Sequence, residues 1–186
     1  MQRSSLVKPL VAMLVVAFLL AVVLSGCQAQ PSGEIAARVI VTQNFGNELM
    51  LDEMVTVNDG SNAMDALQKV ATVETQYGGG FVKAINSVAN EAQKDWFFYV
   101  NGMSANMGAL DYKLHDGDIE HWDFHDWSFH QFVPAIIGDF PQPFLGGYQG
   151  AILPTIVVYD EGFEDTAQNL VSKLEELGIE DIHVQA

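Results

Sequence analysis

Three residues close together could hold a metal ion. His121, Asp123 and His125 alternate along one short stretch, with Asp126 and His130 just after. Two imidazoles and a carboxylate are a set that Zn²⁺ accepts. Alternate residues of a strand share a face, but positions i and i+4 lie roughly 13 Å apart. Only a bend or bulge would bring His121 and His125 to one ion. Solvated histidines are therefore the expectation, no metal is expected, and the triplet stays a weak candidate.

The second chemistry is stacking. Trp96-Phe97-Phe98-Tyr99-Val100 runs into Asn101-Gly102, and Ile119–Phe124 carries Trp122 and Phe124. Strand alternation puts Trp96, Phe98 and Val100 on one face and Phe97 and Tyr99 on the other. One face must be covered by a helix, while the other could offer rings to a flat ligand or be packed in turn. No catalytic set stands out: no serine sits in a Gly-x-Ser-x-Gly elbow, and no carboxylate pair is distinctive among so many. The expectation is a binding protein, not an enzyme, with no cofactor required.

The elements that must position these residues are readable in order. Ala37–Phe45 is β-branched, Gly46-Asn47 marks a turn, and Glu48–Val57 returns, which predicts a β-hairpin. After Asn58-Asp59-Gly60-Ser61, apolar Ala63, Met64, Leu67, Val70 and Ala71 recur at helical spacing, predicting a helix over Ser61–Val73. Asn58-Asp59-Gly60 lacks the spacing of a calcium loop. Tyr77-Gly78-Gly79-Gly80 reads as a flexible joint; without a following Gly-Lys-Ser/Thr it is no phosphate loop. Phe81–Val88 predicts a third strand, followed by the two aromatic strands on the same small sheet. Hairpin, helix and further strands give an α+β class with the order of a β-grasp (ubiquitin-like) domain, placed at residues 35–130. Residues 131–150 form a Pro/Gly/aromatic connector. Residues 151–186 read as a β-α-β extension: strand Thr155–Tyr159, helix Phe163–Leu177 closed by Gly178, and a short strand at Ile182–Val184. One such unit cannot enclose a core alone, so it is expected to pack on the first domain or on a partner.

Charge and the N-terminus bound the setting. The 186 residues carry 24 acidic against 8 basic side chains. That excludes a Lys/Arg footprint for nucleic acid and a polybasic attachment to lipid headgroups. Arg3 and Lys8 precede the apolar run Leu10–Leu24, which is short of the about 20 residues of a membrane span. Leu24-Ser25-Gly26-Cys27 follows. This resembles a bacterial lipobox, predicting a lipoprotein signal peptide over residues 1–26 and a lipidated Cys27 at the head of a tether over residues 27–34. Cys27 is the sole cysteine, so no disulfide is expected. The expected setting is the cell envelope of a bacterium, with the protein held by its palmitate-type acyl chains on the outer side of the cytoplasmic membrane or in the outer membrane.

Four blocks carry a family resemblance. Gly79-Gly80-Phe81-Val82-Lys83-Ala84-Ile85-Asn86, Asp95–Gly102, Gly108-Ala109-Leu110-Asp111-Tyr112 and Asp116-Gly117-Asp118-Ile119-Glu120 resemble the C-terminal domain of transcobalamin and intrinsic factor, and more closely its bacterial relatives, over roughly residues 50–127. In the animal transporters that β-grasp domain covers one side of cobalamin while a helical barrel covers the other. The resemblance thus implies cobalamin or another corrinoid as ligand, with capture for an uptake transporter. It implies ligand contacts at Trp96, Phe97, Phe98 and Trp122 and in the loop Asn106-Met107-Gly108-Ala109. The cobalt-coordinating histidine of the family belongs to the barrel and has no counterpart here. The alternative reading is a surface module that binds a protein or glycan; a metal-binding lipoprotein is a third.

Overall fold

A computed structural model describes residues Gly33–Ala186. The expected signal peptide, Cys27 and most of the tether lie outside the described residues. Strands β1 (Glu34–Gln43) and β2 (Glu48–Asn58) form the expected hairpin. Its turn holds Asn44, Phe45 and Gly46 at positive φ. A Cβ on Gly46 would lie 2.6 Å from the Ile137 carbonyl oxygen, so this position needs glycine because another segment passes over the turn.

Helix α1 (Ala63–Val70) is shorter than the periodicity predicts. Asn62 caps it, accepting from the Asp65 amide, while Asp65 accepts from the Asn62 amide; this capping box sets the start at Ala63, two residues after Ser61. At the other end Ala71 is already extended, because Val73 pairs with Ile85. The predicted joint is therefore part of a hairpin: β3 (Val73–Gln76), a 3₁₀ turn Tyr77–Gly79, and β4 (Phe81–Ile85). Asn86 and Ser87, both at positive φ, end β4 early, and β5 (Val88–Ala89) returns beside it. These three strands make their own sheet, a correction to the expectation of a single one. Val82, Ala84 and Ile85 face inward and bury their side chains, so the hairpin contributes to the core without joining the main sheet.

That main sheet has the order β2-β1-β8-β6-β7, with β6 (Lys94–Val100), β7 (Met103–Ser104) and β8 (Ile119–Asp126). β8 runs parallel to β1 and antiparallel to β6. Val39, Val41, Trp96, Val100, Trp122 and Phe124 pack with Met64 and Leu67 of α1 into the principal core. The molecule is thus mixed α+β and mostly sheet. Ile119 to His125 are buried without interruption, which requires cover on both faces of β8. The second cover is the stretch read as a connector: Ser104 donates to Pro134, Ile136 donates to Gly102, and Ile136 and Asp139 are buried. This stretch is a layer of the domain.

Beyond it lie α2 (Gln142–Leu145), β9 (Thr155–Val158), α3 (Glu164–Glu176) and β10 (Ile182–Gln185). β9 and β10 pair in parallel, and Val157, Ala167, Leu174 and Ile179 form a second cluster against Phe144 and Leu145. Gly178 has φ +91°, the left-handed helix terminator the sequence predicts. Among the described residues no helix is long and apolar enough to cross a membrane.

Candidate functional site

The register of β6 and β8 sorts the aromatic candidates. Trp96 opposes Phe124 and Phe98 opposes Trp122 on the α1 side, while Phe97 opposes Asp123 and Tyr99 opposes His121 on the other. Trp96 is 7% exposed and Trp122 4%, and each indole N–H is used internally, by the Val88 carbonyl and by Glu120. Phe98 is half-buried and stacked on Trp122 at 4.9 Å. Trp96 and Trp122 belong to the core cluster under α1, and Phe98 packs against it. Phe97 is half-buried and lies flat on His125, with centroids 4.0 Å apart and planes 9° apart. Phe45 covers the other side of that imidazole at 4.3 Å.

On the same face the histidines form a buried relay. The Asp123 carboxylate accepts from the Thr42 hydroxyl (2.5 Å), the amides of Phe45 (3.0 Å) and Gly46 (2.9 Å), and His125 Nδ1 (2.6 Å). Burial raises its pKa, but the hydrogen bonds from His125, Thr42 and Gly46 outweigh burial and hold it below the ordinary value. His121 Nε2 lies 2.8 Å from Thr42 Oγ1 and its Nδ1 2.9 Å from Asp139 Oδ1. Thr42 has one hydroxyl proton, and it goes to Asp123, so its oxygen accepts from His121 Nε2–H.

Asp139, His121 and Thr42 have the spacing of a carboxylate–imidazole–nucleophile triad. Thr42, however, is 3% exposed and its O–H points at Asp123, so the arrangement faces inward and holds layers together. The two histidines serve separate carboxylates, and the described residues contain no group of three or more His, Cys, Asp or Glu arranged to hold a metal. On the α1 face, Glu120 is fully enclosed; burial pushes its carboxyl well above the usual range, and the Trp122 indole pulls it back only in part. Enclosure in the core thus favours its protonated form.

The residues of the family-like motifs are largely structural. Asn101, with φ 50° and no exposure, donates to Asp118 (2.9 Å) and to the Gly147 carbonyl (2.9 Å) and accepts from the Ile119 amide (2.8 Å). Asp118 also accepts from the His115 amide, and Tyr112 is buried against it. Burial, then the Asp118 charge, push the Tyr112 phenol above its ordinary value.

The loop candidates lie elsewhere. Asn106 and Gly108 are exposed, Met107 is half-buried, and Ala109 is buried with its carbonyl accepting from Met64. Tyr148 fixes the loop, accepting from the Asn106 amide and donating to its side chain. Beside it stands a feature that the sequence reading passed over. A Cβ on Gly79 would sit 3.4 Å from Leu110, so the tip of the β3–β4 hairpin abuts this loop. Tyr77 is 86% exposed and meets Phe81 edge-on at 6.1 Å. Two exposed rings on a tip whose backbone is held at positive φ through Tyr77, Gly78 and Gly79 form a ready stacking surface. The signal was present as aromatics flanking three glycines.

Residues 60–126 match the family described as Domain of unknown function (DUF4430), nearly the stretch that carries the sequence resemblance. The chain resembles this family over those residues. Solved structures similar to it include haptocorrin in complex with Cbi, at 18% identity and TM-score 0.45, covering 55% of this chain; the chain spans 27% of that protein's length. Another, described as a "putative metal binding protein" from Ruminococcus gnavus ATCC 29149, is 16% identical with TM-score 0.39, covering 50% of this chain and 97% of that one. No curated protein matches the sequence.

Proposed function

We propose that the transcobalamin-like domain captures a flat ligand, a corrinoid such as cobalamin, on the surface formed by Tyr77, Phe81 and the loop Asn106–Leu110. The supporting observation is the exposed Tyr77–Phe81 pair set against that loop. A planar macrocycle gains from ring stacking and from exposed apolar side chains such as Leu110. The order β2-β1-β8-β6-β7, with β8 inserted parallel to β1 and α1 across one face, supports reading the domain as a β-grasp. In this reading Cys27 carries the lipid that holds the domain at the cell envelope, and the captured ligand passes to a transporter there. Its role is binding, and none of its groups performs a reaction.

The test is a titration of the full chain, in detergent, with cyanocobalamin, followed by calorimetry and by the visible spectrum. At about 50 µM a micromolar complex saturates. Saturable heat that Tyr77→Ala and Phe81→Ala each weaken supports the reading. Absence of heat and of spectral change sinks it.

A further inference from the structure

We propose that the outer edge of β9, with the uncovered face beside it, binds an extended basic segment of a partner protein, which joins the two-stranded sheet as a third strand. The Thr155 amide donates to Asp181 and the Tyr159 amide to Gln185, so these groups face β10. Strand alternation turns the amides of Ile156 and Val158 to the opposite edge. Among the described residues β9 pairs with β10 alone, so that edge offers its donors and acceptors to an incoming chain.

The side chains agree with the backbone. Val157 points into the cluster under α3, whereas Ile156 (57% exposed) and Val158 (69%) stand on the face that α3 does not cover. Leu153, 74% exposed, continues this strip toward a groove of about 290 Å³ lined by Met103, Phe144, Tyr148, Leu153 and Ile156. An added strand would cover Ile156 and Val158 and place one side chain in the groove.

Charge selects the occupant. Residues 151–186 hold eight side-chain carboxylates against one lysine, Lys173. Asp160 and Glu161 lie just past β9, after Tyr159, and Asp181 precedes β10, all exposed, so both ends of the strip are acidic. A second copy would bring acidic ends against acidic ends. A segment alternating apolar with Lys or Arg satisfies the edge, the face and the ends together.

The probe is a labelled peptide of about ten residues alternating valine and lysine, titrated by fluorescence anisotropy into the full chain. A valine–glutamate peptide is the control. Saturable, salt-sensitive binding of the lysine peptide alone is expected. Val158→Pro removes one outward amide, which an edge strand tolerates, and Ile156→Ser removes apolar contact; each should weaken binding by about tenfold with the melting temperature unchanged. Tyr77→Ala should leave it unchanged, which separates this surface from the corrinoid site. Equal binding by wild type and both variants would mean bulk charge attraction and overturn the proposal, as would binding of both peptides or of neither. A dimer in sedimentation that Val158→Pro dissolves would assign the edge to a second copy and overturn it too.

Discussion

His121 Nδ1 and Asp139 Oδ1 stand 2.9 Å apart across the boundary between β8 and the layer over it, with Asp139 2% exposed and His121 1%. The contact is the start of a line that continues through Thr42 and Asp123 to His125. It ties residues 134–139, the β1–β2 turn and β8 into one polar unit.

Cutting that line should release the outer layer first. Asp139→Ala leaves His121 Nδ1 buried without its partner and should cost about 3 kcal/mol. Amide hydrogen exchange should quicken at Ser104 and Ile136, which pair across the layer boundary, before it quickens in β1. Uniform acceleration throughout the chain would contradict a local latch.

The two buried carboxyls of β8 should act oppositely with pH. Asp123 is held below its ordinary value, so its contribution is present above about pH 4 and is lost as the pH falls through its folded value. Glu120 is held above its ordinary value, so the folded state keeps a proton that the unfolded chain releases; stability falls as pH rises above about 4.3. Glu120→Gln should therefore stabilise the protein at pH 7 relative to pH 3, read as urea midpoints. Asp123→Asn should lose about 3–5 kcal/mol at pH 7 and less at pH 3.

Core and surface aromatics should separate cleanly. Trp96→Ala and Trp122→Ala empty large volumes under α1 and should each cost about 3–5 kcal/mol. Tyr77→Ala, at an exposed tip, should change stability by less than about 0.5 kcal/mol. Thermal melts decide it: a Trp96→Ala protein with native melting temperature would return that ring to the surface.

Asn101→Ala should destabilise by about 3 kcal/mol, since it strands the Ile119 amide, the Gly147 carbonyl and one Asp118 oxygen and places alanine at positive φ. Asn101→Gly should recover the backbone part alone. If both variants melt alike, the loss lies in the hydrogen bonds.

Much of this architecture is local in origin and was legible. Alternation assigned Trp96 and Phe98 to one face and Phe97 and Tyr99 to the other, and His121, Asp123 and His125 to a shared one, because a strand's side chains reverse at each residue. Helical spacing located α1 and α3, and Gly178 marked the end of the latter. What depended on distant partners was not legible. Val73 looks like the end of a helix until Ile85 is found opposite it, and the Pro/Gly-rich stretch after residue 130 has no periodicity to show that it will lie on a sheet. Asp139 lies eighteen residues beyond His121 and Thr42 seventy-nine before it, so only the folded chain could turn a row of histidines into a relay. The sequence by itself determined which residues share a face. Tertiary structure decided what covers each face, because burial is set by segments that meet only after the chain has folded back on itself.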